Sequence, residues 1–254
     1  MILKRKIYKK LLEWKNECQG KKALLIEGAR RIGKSTICEE FGKNEYESYL
    51  LIDFAKKDKE VEMYFKIYLN DLDTFFMLLQ THFGTKLTER NSLIIFDEVQ
   101  MFPQARAAIK YLVADGRYDY IETGSLISIR ENVKNIVIPS EERHINMYPL
   151  DFEEFAIAFE EDLLVEYIKK CFEKREPLER SMHNQAMLLF HQYMLVGGMP
   201  MPVVAFIESK KDFTEADKEK RNILKLYRED IMKIDMRYRS KVLAIYDQIP
   251  GFLS

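Results

Sequence analysis

The stretch Gly28-Ala29-Arg30-Arg31-Ile32-Gly33-Lys34-Ser35 constrains this chain more than any other. It reads G-x-x-x-x-G-K-S, follows the apolar run Ala23-Leu24-Leu25-Ile26 and precedes a helix-compatible segment from Ser35 to Phe41. Strand, glycine-rich loop and helix in that order spell a phosphate-binding loop. Gly28 and Gly33 let backbone N–H groups turn inward around a phosphate, and the helix adds its positive N-terminal end. In this reading Lys34 reaches the β- and γ-phosphates and the Ser35 hydroxyl ligates Mg²⁺.

A second element stands further along. Leu93-Ile94-Ile95-Phe96 shows no polar alternation, which describes a strand buried on both faces, as in a parallel sheet. Asp97 and Glu98 close it, and acidic residues at the C-terminal edge of such a strand lie in the ligand crevice of an open α/β sheet. Asp97 is the expected Mg²⁺ ligand through its water shell, and Glu98 the base that deprotonates a water for attack on the γ-phosphate. A further strand, Tyr118 to Thr123, leads into Gly124 and Ser125. Thr123, with Ser125 as the alternative, would contact the γ-phosphate or the attacking water; the plainer reading is a turn built from ordinary turn residues.

The remaining chain fits around these elements. Leu3, Ile7, Leu11 and Trp14 predict an amphipathic helix over residues 2–18, with Gly20 as its stop. The helix after the loop is expected to end near Gly42, and a strand through Tyr49 to Asp53 follows. Apolar residues from Val61 to Leu79 recur at helical steps, with a break around Asn70, Asp71 and Asp73, whose side chains favour caps. Pro103 opens a helix that ends near Gly116. Ile136-Val137-Ile138 and the approach from Arg143 to Leu150 suggest a fifth strand. Asp151 and Glu154 have the spacing of a capping box. Beyond it the pattern is helical: Leu163–Phe172, Met182–Leu195 and one long stretch from Lys218 to Tyr246, with a bend at Gly197-Gly198-Met199-Pro200. Residues 1–150 therefore read as an α/β core and 151–254 as a helical lid with the start of a C-terminal region.

Composition removes several alternatives. Forty basic and 41 acidic residues leave a net charge of −1, so no global field recruits nucleic acid or an anionic membrane. Cys18, Cys38 and Cys171 are odd in number and far apart, which suggests neither a disulfide framework nor a zinc site. His183 and His191 are spaced as packing or surface residues rather than as a ligand pair. No apolar run is long enough to span a membrane, and the expectation is a cytoplasmic protein.

Taken together, these motifs resemble the prokaryotic AAA-type P-loop ATPases of the archaeal-ATPase-like group. The resemblance rests on Gly28 to Thr36, Ile94-Ile95-Phe96-Asp97-Glu98-Val99-Gln100, Thr123-Gly124-Ser125, Tyr148-Pro149-Leu150-Asp151-Phe152-Glu153-Glu154-Phe155 and Gly197-Gly198-Met199-Pro200. It implies a three-layer P-loop NTPase sandwich with a five-stranded parallel sheet ordered 5-1-4-3-2. It also implies ATP held by Gly28, Ala29, Arg30, Arg31, Ile32, Gly33, Lys34, Ser35 and Thr36, with Pro200 beside the adenine. Ser35 and Asp97 carry Mg²⁺, Glu98 is the hydrolytic base and Thr123 or Ser125 the sensor. Where the family often has Gly-Arg before the last strand, this chain has Glu142-Arg143, which removes the glycine's backbone role. The implied partners are ATP and ADP, a second copy of the chain and a protein partner, with DNA by family analogy alone. Arg106, Arg117 and Arg130 are the candidate arginine-finger donors. The expected activity is Mg²⁺-dependent ATP hydrolysis as a switch or motor; the alternatives are an ATP-binding scaffold with little turnover and, last, a small-molecule kinase.

Overall fold

The computed structural model describes residues 1–125, 141–232 and 234–253. The chain forms two compact units, one from Ile2 to Pro149 and the other from Leu150 to Ser254 together with Met1.

In the first unit, β1 (Ala23–Gly28), β2 (Ser48–Asp53), β3 (Ser92–Asp97), β4 (Asp119–Ser125) and β5 (Glu142–Asn146) form one sheet in the order β2-β3-β4-β1-β5, with every pairing parallel. Every residue of β3 is buried, as its unbroken apolar run requires. One sheet face is covered by α1 (Ile7–Cys18) and α2 (Lys34–Glu45), where Trp14 and Phe41 pack together. The other carries α3 (Lys59–Ile67), α4 (Leu72–Phe83) and α5 (Pro103–Asp115) over a core of Phe54, Phe65, Phe75, Phe96 and Phe102. The break between α3 and α4 is set by Asp71, whose side chain accepts a hydrogen bond from the Thr74 N–H at 3.2 Å. Burying this much aromatic surface supplies the main driving force for the layered arrangement.

Several expected boundaries move. α1 begins at Ile7; Gln19 (φ 45°) is its left-handed C-cap, and Gly20 (φ 78°) follows it in the same region. Gly42 does not stop α2, which runs to Glu45. A Cβ at Gly42 would lie 2.8 Å from the Cβ of Tyr49, so this glycine serves close helix-to-strand packing. Ile136-Val137-Ile138 lie outside the described residues, and β5 starts at Glu142.

Charge is also buried in this unit. Arg106 on α5 donates to both oxygens of Glu142 on β5, at 3.2 and 2.9 Å, and both side chains are shielded from solvent. Glu122 on β4 is fully buried beside Glu142 and Arg106. Burial, reinforced by the negative Glu142, pushes the Glu122 carboxyl well above the usual carboxylate range. In the unfolded chain Glu122 titrates near its ordinary value of about 4.3. Above that pH the folded state therefore binds more protons than the unfolded one, and this group's contribution to stability falls as pH rises through the raised folded value. Glu122→Gln, neutral at every pH, is expected to flatten the fall in urea midpoint as pH rises above the ordinary carboxylate range and to exceed wild type at the alkaline end. Within the window the slope from one such group is at most about 1.4 kcal/mol per pH unit.

The second unit is helical: α6 (Phe152–Ala158), α7 (Asp162–Lys174), α8 (Arg180–Val196), α9 (Pro200–Glu208), α10 (Phe213–Ile231) and α11 (Met236–Leu253). The capping box is present, with Glu154 N–H donating to Asp151 at 2.9 Å and Asp151 N–H donating to Glu154 at 3.3 Å. The single helix expected over 218–246 is divided between α10 and α11, and the bend at Gly197-Gly198 feeds a short helix that periodicity did not announce. Leu150 N–H donates to the Gly198 carbonyl at 2.7 Å, and the Tyr193 hydroxyl donates to the Leu150 carbonyl at 2.9 Å. A Cβ on Gly198 would stand 2.1 Å from that same Leu150 carbonyl oxygen. Leu150 and Gly198, both in this second unit, are therefore in direct backbone contact. Gly198→Ala is expected to cost about 1–3 kcal/mol by overpacking, read as a lower thermal midpoint. An unchanged midpoint would contradict the contact.

Candidate functional site

The loop between β1 and α2 contains two residues with left-handed backbone, Arg31 (φ 67°) and Gly33 (φ 90°), on either side of buried Ile32. For Arg31 that conformation costs roughly 1–2 kcal/mol, a strain tolerated where neighbouring structure fixes it. Gly33 caps α2 without offering a side chain, so the first-turn N–H groups receive no side-chain cap. Ala29, Arg30, Arg31 and Thr36 are exposed along the loop. Lys34 is buried and turned back over it, donating to the Gly28 carbonyl at 3.1 Å and the Ala29 carbonyl at 2.8 Å. Burial lowers its ammonium pKa, opposed by the nearby Glu98 and Asp97 carboxylates. Gly28 itself is held close: a Cβ there would meet the Met147 carbonyl oxygen at 2.4 Å.

Sheet order sets the C-terminal tips of β1, β3 and β4 side by side, and their polar residues meet. Ser35 Oγ donates to Asp97 Oδ1 at 2.8 Å, and the Thr123 hydroxyl donates to the same oxygen. Thr123 Oγ1 in turn accepts the Glu98 N–H at 3.2 Å, so one hydroxyl ties both acidic residues to β4. Glu98 adopts a left-handed backbone (φ 52°) where the chain leaves the strand, and the Gln100 amide donates to its carboxylate. Ser125 is buried at the end of β4 and paired with Gly28, whereas Thr123 is the residue that touches Asp97.

Other expected residues lie elsewhere. Arg106 cannot serve as an arginine finger: it is 2 % exposed and committed to Glu142. Arg117 is engaged by Asp115 and Asp73, and Arg130 lies outside the described residues. Arg143 donates to Glu17 of α1 at 2.6 Å and pairs with Leu24, four residues before the loop's first glycine. Pro200 is the first residue of α9 in the helical unit. Two features escaped sequence reasoning. Gln100 stands in the quoted stretch but had no role until its amide was placed on Glu98. The Glu122–Glu142–Arg106 group was signalled only by a lone acid inside the strand Tyr120-Ile121-Glu122.

The residues present fit a nucleotide triphosphate with a divalent cation. A buried cation, a helix start without a side-chain cap and a hydroxyl paired with a carboxylate stand together at one sheet edge. Among the described residues no three His, Cys, Asp or Glu side chains gather as a metal site. A cation here would therefore rest on Ser35, Asp97 and the ligand's own phosphates, as Mg²⁺ commonly does in such sites. Among the described residues no helix is long and apolar enough to cross a membrane.

The strand order and the strand–loop–helix unit at β1 define a P-loop nucleotide-binding fold of the AAA type. A family model described as an AAA domain matches residues 20–156, more than half of the chain, and the chain belongs to that family of ATPase-type P-loop proteins. No curated protein matches it. Among solved structures it is similar to a signal transduction ATPase with numerous domains from Pyrococcus horikoshii, which has a tetratricopeptide repeat sensor (17 % identity, TM-score 0.44, covering 91 % of this chain and 34 % of that one). It is also similar to PCH-2 of C. elegans (12 %, TM-score 0.40, 85 % and 65 %) and to the Aeropyrum pernix ORC1 protein in complex with DNA (10 %, TM-score 0.41, 99 % and 74 %). The chain thus spans less than two thirds of the first two.

Proposed function

We propose that this chain binds ATP and hydrolyses it to ADP and phosphate, using the cycle as a conformational switch or motor. The observation that carries the reading is the junction of Ser35, Asp97 and Thr123 beside Lys34, with Glu98 fixed next to it. The loop from Gly28 to Thr36 would wrap the phosphates with backbone N–H groups, and Lys34 would exchange its two carbonyl acceptors for phosphate oxygens. Ser35 and Asp97 would hold Mg²⁺, which when bound neutralises charge on the β- and γ-phosphates. Glu98 would take the proton of the attacking water, and Thr123 would keep Asp97 and Glu98 in register while contacting the γ-phosphate side.

An arginine finger supplied by a second copy, with Arg130 left as the candidate of the three, or by a protein partner would complete such a site; where it operates it is worth 10³–10⁵ in rate. A homo-oligomer or protein partner thus fits the reading, while DNA is carried by analogy only.

The test is phosphate release from ATP with Mg²⁺ and with chelator, across a range of protein concentrations. Mg²⁺-dependent release supports hydrolysis. Tight binding without release at any concentration assigns the chain a scaffold role, and transfer to an added acceptor with little free phosphate assigns it to the kinases.

A further inference from the structure

We propose that Arg5 is a positioning residue of the nucleotide site, bracing the phosphate loop from a segment that precedes the AAA-domain match. Its guanidinium donates from Nη1 to the Ile32 carbonyl at 2.9 Å and from Nη2 to the Tyr148 carbonyl at 2.6 Å. Ile32 is the loop residue between the two left-handed positions, Arg31 and Gly33. Tyr148 follows Met147, whose N–H donates to the Glu27 carbonyl at 2.8 Å and whose own carbonyl lies against Gly28. One side chain therefore ties the loop's outer carbonyl to the exit of β5, on the flank where β1 enters the loop. All of these residues belong to the same compact unit.

The physical case rests on what the loop must do. A phosphate-binding loop directs N–H groups inward, which leaves carbonyls such as that of Ile32 on its outer side without helical or strand partners. A fixed cation on such a carbonyl stabilises the strained conformation with charge-assisted bonds. Arg suits this position better than Lys because its planar fork serves two acceptors at once. Leu3, Ile7, Leu11 and Trp14 are buried and anchor the helix that follows Arg5, so the brace is held by hydrophobic packing independent of the guanidinium. When only a fraction of molecules carries a competent loop, apparent affinity falls by that fraction. Arg5 thus acts on binding rather than on the chemical step.

This inference rests on the ATP-binding reading, and the experiment separates the two. Equilibrium binding of ADP and of ATP with Mg²⁺ is measured for wild type, Arg5→Met and Arg5→Lys, alongside unliganded thermal midpoints. Met keeps the apolar stem and removes the donors. The expected result is about a tenfold weaker Kd for Arg5→Met, the size of one charge-assisted bond, with an intermediate value for Arg5→Lys. The unliganded midpoint should stay within about two degrees of wild type, and in turnover KM should rise while kcat is kept. Wild-type affinity for both variants, or a loss confined to kcat, overturns the brace. A loss of affinity that tracks a large fall in midpoint also overturns it, because the role would then be structural. If the wild type itself binds neither nucleotide, the ATP reading fails first.

Discussion

Glu98→Gln is expected to bind ATP with an affinity close to wild type and to release phosphate about 10²–10⁴ times more slowly, the usual worth of a positioned general base. The argument is geometric. Glu98 follows Asp97 directly, its N–H is held by Thr123, and its carboxylate is held by Gln100, so the residue sits beside the Ser35–Asp97 pair rather than in it. Gln preserves the side-chain length and can still bond to Gln100, while losing the ability to accept a proton. The affinity and the folded structure should therefore survive as the rate falls. Single-turnover phosphate release together with equilibrium binding distinguishes this outcome from a general loss of structure. A variant that hydrolyses at the wild-type rate would remove Glu98 from the chemistry.

The complementary change is Lys34→Ala. In the free chain this ammonium is buried and satisfied by the carbonyls of Gly28 and Ala29. A phosphate offers it charged acceptors instead, and each such bond is worth about 1.5–3 kcal/mol. Losing them is expected to weaken ATP binding about a hundredfold. The midpoint of the free chain reports the separate cost of leaving the Gly28 and Ala29 carbonyls without that donor, about 1–3 kcal/mol for a buried acceptor. Ligand present at 100 times its Kd raises stability by about 2.7 kcal/mol. Wild type should accordingly show a rise of several degrees in thermal midpoint with ATP and Mg²⁺, and Lys34→Ala should show almost none at the same concentration.

Some of this molecule can be read from residues alone. β3 was legible because Leu93 to Phe96 carries no polar alternation, which only a strand covered on both faces tolerates. α5 was bounded by Pro103 and Gly116, whose backbone preferences leave little choice. The sheet order 2-3-4-1-5 followed from a family resemblance, since no local pattern encodes it. What failed has a common cause. Gly42 has the same chemistry whether it ends a helix or lets a strand approach, and only the position of Tyr49 decides. Arg106 looks like any exposed helix arginine until β5 sets Glu142 beneath it. Arg5 finds its acceptors 27 and 143 positions away, beyond any periodicity. At the candidate site, strand tips are predictable from apolar runs, so the nearness of Ser35, Asp97 and Thr123 could be anticipated. The hydrogen bonds that link them depend on register.

The most direct test of the central claim is an equilibrium titration of ATP, with Mg²⁺, into the wild-type chain and Lys34→Ala side by side. One saturable site per wild-type chain and a curve displaced about a hundredfold for the variant is the predicted result. Superimposed curves, or no saturable binding by the wild type, would mean that the stretch from Gly28 to Ser35 does not hold a nucleotide phosphate in this protein.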